Sequence, residues 1–286
     1  MCKCQLKFNE NKSKMIGVFL MNNILVRNNV KILGEGDRTI IFAHGFGCDQ
    51  NMWRYITPFF EKNYQIVLFD HVGSGNSDLT AYDFEKYSTL HGYARDVLDI
   101  LETLKLKNVI FIGHSVSSMI GMLASIERPE YFSKMIMIGP SPCYINEGDI
   151  YHGGFEKEDV LELLTMMEMN YFSWASFMAP LGMKNADVPA LTEELEKSFT
   201  RSNPLITRQF AETTFFSDHR ADLDKVITPT LIMQCSDDSI VPLVVGNYLH
   251  EHLKNSALYL MEAKGHYPHL SHPKETISCI NKFLLT

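Results

Sequence analysis

Phe111-Ile112-Gly113-His114-Ser115-Val116-Ser117 joins two different periodicities. Upstream, Asn108–Gly113 is a short run rich in β-branched and apolar residues. Downstream, Met119, Ile120, Leu123 and Ala124 recur at helical spacing. A strand that turns at once into a helix through a serine is the setting of a nucleophile elbow. The sharp turn raises the hydroxyl above the end of the strand, and small neighbours allow the backbone to approach closely. The helix N-terminus behind Ser115 favours negative charge developing there. Where that pattern ordinarily has glycine two residues after the nucleophile, this chain has Ser117, which is still small enough for the turn.

Outward from the elbow, the same alternation repeats. Thr39–Ala43, Gln65–Asp70, Lys134–Gly139, Thr230–Cys235 and Ala257–Met261 are further short apolar runs, with helical patterns between them. In Leu90–Leu104, Val97, Ile100, Leu101 and Leu104 fall on one stripe. Runs that are apolar on both faces suit strands covered by helices on both sides, so the fold class is α/β with a mostly parallel sheet. Residues 23–33 are expected to add antiparallel edge strands. From Pro140 to Lys225 no strand-like run occurs, and helix stops are expected at Gly153-Gly154, Gly182 and Pro189. This stretch is rich in Met and aromatic residues. Such side chains serve an ordinary helical core or the inner face of a lid over an apolar pocket. Residues 21–139 and 226–286 therefore read as the core and 140–225 as a helical lid. Residues 1–20 read as an extension expected to be disordered.

A nucleophilic serine needs a base and an acid to orient it. His266 lies just past the run Ala257–Met261, and Gly265 before it lets the loop turn toward the site. His269 and His272 are its local competitors. Asp237 and Asp238 follow the run Thr230–Cys235; Asp238, four residues before Pro242, is preferred as the acid, and Asp237 as a loop support. The chain order Ser, Asp, His is that of α/β-hydrolases and not of chymotrypsin or subtilisin. His44-Gly45-Phe46-Gly47 follows Thr39–Ala43 and is placed to supply an oxyanion hole, with Phe46 and Val116 as the N–H donors and His44 as a structural residue. Asp70-His71-Val72-Gly73-Ser74-Gly75-Asn76-Ser77 reads as architecture. Its spacing is not that of a dinucleotide-binding loop.

Composition bounds the rest. A chain of 286 residues with 45% apolar and 21% charged residues can bury a large core. The net charge of -8 disfavours nucleic acid and anionic membranes as partners. Met15–Met21 is too short for a membrane span and is not followed by a small-x-small cleavage site. The six cysteines, Cys2, Cys4, Cys48, Cys143, Cys235 and Cys279, show no C-x-x-C spacing, so reduced thiols in a cytoplasmic protein are expected.

From about Asn23 onward the chain resembles the subgroup of α/β-hydrolases that holds RsbQ, the sigma-B stress regulator, and the plant strigolactone and karrikin receptors. The strings that carry the resemblance are His44-Gly45-Phe46-Gly47-Cys48-Asp49-Gln50, Gly113-His114-Ser115-Val116 and Gly139-Pro140-Ser141-Pro142-Cys143-Tyr144. Phe215-Phe216-Ser217-Asp218-His219-Arg220 and Gly265-His266-Tyr267-Pro268-His269 complete the set. RsbQ is the nearest likeness by these strings, although Ser117 matches the plant receptors. The resemblance implies a four-helix lid over a deep apolar pocket, with Ser115, Asp238 and His266 at its floor. It also implies slow hydrolysis of a small hydrophobic ester or lactone-like molecule. It further implies a stress-signalling role in which the protein activates a PP2C-type phosphatase carrying a PAS domain. Trp174, Phe177, Phe210 and Phe216 are the expected pocket lining. No metal or organic cofactor is required. Two other readings stay open: a ligand-binding regulatory module with incidental turnover, and a metabolic carboxylesterase.

Overall fold

Seven strands form one sheet: β1 (Lys31–Leu33), β2 (Arg38–Ala43), β3 (Tyr64–Phe69), β4 (Val109–His114), β5 (Phe132–Ile138), β6 (Thr230–Asp237) and β7 (Ser256–Lys264). They lie in the order β1-β3-β2-β4-β5-β6-β7 in a computed structural model that describes residues 24–286. Only β1 runs antiparallel, against β3; the other neighbours are parallel. The strands alternate their side chains between two apolar layers. Ile41, Val67, Phe111, Met135 and Met137 enter one layer. Ile40, Phe42, Ile66, Ile110, Ile112 and Ile136 enter the other. All six positions of β4 are buried, and each such Ile or Phe contributes about 1.5–3 kcal/mol on burial. A central strand apolar on both faces has only one stable place, the middle of a covered sheet.

The helices of ten or more residues, taken in chain order, are α1 (Leu90–Thr103), α2 (Val116–Glu127), α3 (Lys157–Met169), α4 (Tyr171–Met183), α5 (Pro189–Arg201), α6 (Pro204–Phe215), α7 (Leu243–His252) and α8 (Pro273–Leu284). The stripe Val97, Ile100 and Leu101 of α1 is buried, and Leu104 packs at its edge. Four helices, α3 to α6, stand between β5 and β6. Their limits are local chemistry. Glu156 and Asp159 form a capping box at α3. Asn170 caps α4 by accepting from the Ser173 N–H, and Asn203 caps α6 by accepting from the Leu205 and Ile206 N–H groups. Pro189 and Pro204 occupy first-turn positions, where a missing N–H costs nothing.

One expectation needs correction. Residues 24–27 are helical, and only Lys31–Leu33 becomes an edge strand. The cause is a clasp at the end of β3: Asp70 N–H donates to the Asn28 carbonyl at 2.8 Å, and Asn28 Nδ2 donates to the Asp70 carbonyl at 3.0 Å. The chain reverses there through Asn29, whose φ is 45°. Helix α4 ends at Met183, one residue past the stop expected at Gly182, and Gly182 brings the helix close to Tyr267. The expected 1–20 extension, with Cys2, Cys4 and the Met15–Met21 run, lies outside the described residues.

Candidate active site

Strand registers bring the carboxyl ends of β2, β4 and β5 level, with Ala43 beside Gly113 and His114 beside Ile138. In an open α/β sheet this edge is where ligands bind. Ser115 leaves β4 at φ 54° and ψ -125°, a strained conformation for a residue with a Cβ. The surroundings hold it there. Ser115 N–H donates to the Ile138 carbonyl at 2.8 Å, and α2 begins at the next residue. Gly113 is required two residues earlier, because a Cβ there would lie 2.6 Å from the Ser117 carbonyl oxygen.

His266 comes from the loop after β7. Gly265, at φ 79°, allows the turn, and a Cβ on it would sit 2.0 Å from the Met183 carbonyl oxygen. His266 N–H then donates to the Gly182 carbonyl at 2.8 Å. Its Nε2 lies 2.7 Å from Ser115 Oγ, and its Nδ1 lies 2.7 Å from Asp238 Oδ2. Asp238 can only accept as a carboxylate, so Nδ1 carries the proton and Nε2 is left to accept the serine proton. Asp238 Oδ1 accepts from the Ile240 and Val241 N–H groups at 2.8 and 3.1 Å. The Asp238 side chain is fully buried, whereas Asp237 faces outward and pairs with Lys184.

The competing histidines are otherwise engaged. His269 is buried between Trp53 and His114, with ring centroids 4.6 and 4.5 Å away. Neither of its ring nitrogens has a partner among the described residues, and burial pushes its pKa down to about 3. His272 turns to the Ser271 hydroxyl.

Beside Ser115, the Phe46 and Val116 N–H groups meet no acceptor among the described residues. The loop that carries Phe46 packs on Ser115, since a Cβ on Gly45 would lie 3.3 Å from Ser115 Cβ. The hollow above Ser115 and His266 is lined by Phe46, Tyr144, Met178, Phe199, Phe215 and Tyr267. It is narrow, about 30 Å³, room for only a water or two. Tyr144 Oη stands 3.5 Å from Ser115 Oγ, and burial pushes its pKa up to about 12. Thr214 also lines the hollow; it is buried, and its hydroxyl has no partner among the described residues.

None of the four expected lining residues faces this hollow directly. Trp174 and Phe210 are buried one layer behind, against the Phe46 ring at 6.0 and 5.6 Å. Phe177 is 53% exposed and points away from it. Phe216 lines a separate open cleft with His91 and His219. The lining that sequence reasoning missed was partly in view, because Tyr144 and Phe215 stand inside two of the quoted strings.

The model of the alpha/beta hydrolase family matches residues 40–278. The chain is 42% identical over 251 residues to strigolactone esterase RMS3 of Pisum sativum, covering 87% of this chain and 94% of that protein. It is 41% identical over 251 residues to the karrikin insensitive 2 receptor CA of Petunia hybrida, covering 87% and 93%. Among solved structures, the hydrolase olei00960 of Oleispira antarctica superposes with a TM-score of 0.91 at 43% identity, over 93% of this chain and 97% of that one. An elbow serine at the carboxyl edge of a mostly parallel sheet, found with these likenesses, identifies the chain as an enzyme of the α/β-hydrolase family, of the esterase type.

Proposed function

We propose that Ser115, His266 and Asp238 are the catalytic triad of a hydrolase for small, mostly apolar esters or lactones. One observation carries the reading: a continuous proton relay, with both links at 2.7 Å, at the floor of a narrow, mostly apolar hollow. Ser115 Oγ attacks the carbonyl carbon as its proton passes to His266 Nε2. Asp238 holds the tautomer and stabilises the imidazolium. The Phe46 and Val116 N–H groups receive the oxyanion. His266 returns the proton to the leaving alkoxide, then takes one from the water that frees the acyl group from Ser115. Apart from the Tyr144 hydroxyl beside Ser115, the Thr214 hydroxyl adds a polar point, without a partner among the described residues, to the wall, and it suits a substrate that carries one further oxygen. The decisive experiment is hydrolysis of nitrophenyl acetate by Ser115→Ala. The proposal expects loss of several orders of magnitude in rate with the fold intact; turnover like that of the parent would refute it.

A signalling role is part of the same proposal. The narrow hollow supports it, because a ligand larger than a water or two needs its α4, α5 or α6 walls to shift, and such a movement is what a partner can read. The likeness to a plant protein named as a receptor supports it as well. On this reading α3 to α6 act as the lid, and the partner, following the resemblance to RsbQ, is a cytoplasmic phosphatase with a PAS domain. Co-purification with such a phosphatase, in the presence and absence of hydrolysable ester, tests it; a metabolic esterase would capture none. No helix among the described residues is long and apolar enough to cross a membrane.

A further inference from the structure

Ser117, His71 and His44 are fully buried, and each comes from the end of a different segment of the sheet. His44 follows β2, His71 follows β3, and Ser117 lies in the first turn of α2 after β4. Their hydrogen bonds form a closed ring. The Ser117 hydroxyl donates to the His44 carbonyl. Its one proton being used, the oxygen can only accept from His71 Nε2, which lies 2.7 Å away. His71 therefore carries its proton on Nε2, and its Nδ1 has no partner among the described residues. The His71 backbone N–H donates to His44 Nε2 at 3.1 Å. That leaves the His44 proton on Nδ1, which donates to the Gly45 carbonyl at 2.9 Å.

The last bond matters for chemistry. The Gly45 carbonyl and the Phe46 N–H belong to one planar trans peptide and point in opposite directions. Whatever holds that carbonyl aims that N–H. Two donors hold it, the His44 ring and the Cys48 N–H at 3.3 Å. The His44 ring is held in turn by His71, and the His44 backbone by Ser117. We propose that Ser117, His71 and His44 form a positioning ring that fixes the Gly45–Phe46 peptide and so aims the Phe46 N–H at the oxyanion. Serine at the position where the elbow ordinarily has glycine is then functional: its hydroxyl ties the oxyanion loop to the helix that carries the nucleophile. The inference rests on the reading of Ser115 as the nucleophile.

The test is kinetic. Ser117→Ala, Ser117→Gly, His71→Phe and the double variant Ser117→Ala/His71→Phe are compared with the parent on nitrophenyl acetate. Phenylboronic acid, which becomes tetrahedral on a serine oxygen, reports affinity for the oxyanion geometry. A donor displaced by a fraction of its hydrogen-bond length is expected to cost on the order of 10- to 100-fold in kcat. KM should stay within about twofold, because the bond is made in the transition state. Boronate affinity should fall by the same factor as kcat. The double variant should be little worse than either single one, because all three break the same ring. Parent-like kcat in folded Ser117→Ala and Ser117→Gly overturns the proposal, and so does a rise in KM alone. Failure of both Ser117 variants to fold overturns it too, since the ring would then serve folding only. Activity retained in Ser115→Ala would instead mark failure of the underlying triad reading.

Discussion

At the residue scale, environment divides roles between side chains that look alike in the chain. Asp237 and Asp238 are neighbours, yet Asp238 is buried against His266 while Asp237 is nearly half exposed and faces Lys184. Asp238→Asn should therefore lower kcat/KM by about 10⁴-fold, because an amide favours the wrong imidazole tautomer. Asp237→Asn should change it by less than about threefold, since an exposed pair contributes little. Comparing kcat/KM of the two variants checks this; the reverse order would move the acid one residue back. Thr214 poses a different question. A buried hydroxyl without a partner costs about 1–3 kcal/mol, so Thr214→Val should leave Tm unchanged or raise it. The same change should lower preference for acyl groups bearing an extra oxygen over plain hydrocarbon ones. Loss of Tm, with selectivity unaltered, would show that the hydroxyl serves the fold.

At the scale of elements, helices α4, α5 and α6 present side chains of two kinds. Trp174 backs the Phe46 ring, while Phe172 is 69% exposed on the same helix. Trp174→Ala removes a buried aromatic and should destabilise by about 3–5 kcal/mol. It should also let Phe46 relax backward and shift preference toward longer acyl chains. Phe172→Ser should leave ester kinetics and Tm unchanged but weaken capture of a phosphatase partner. Acyl-chain profiles and pull-downs on the same two variants separate the inner face from the outer. If Trp174→Ala loses activity only by unfolding, the helices are a core and not a lid.

At the scale of the whole molecule, His71, His114 and His269 are buried beneath the site, and burial depresses all three. The neutral form is thus favoured by folding. The stability this contributes is complete above the ordinary histidine pKa of 6.5 and is lost as pH falls toward the folded value, about 3 for His269. Tm should decline over that window, and less steeply in His269→Gln, which cannot titrate. A series of melting curves from pH 7 to pH 4 measures the two slopes; equal slopes would clear His269 of the effect.

Local patterns in the chain determined the strand core, the elbow at Ser115, and the positions of Asp238 and His266. Each of these stands at a strand end, where the change of periodicity is visible within a few residues. Only the tertiary structure decided the pocket. Helix α4 is apolar nearly all round, so no stripe marks its inner face, and rotation by one residue separates exposed Phe177 from buried Met178. The same holds for the ring of Ser117, His71 and His44. It joins three segments far apart in the chain, and its hydrogen bonds exist only once parallel pairing has set β2, β3 and β4 side by side. Sequence spacing carries secondary structure, because that is local. Which side chains converge depends on register and helix rotation, and those are set by the packing of the whole core.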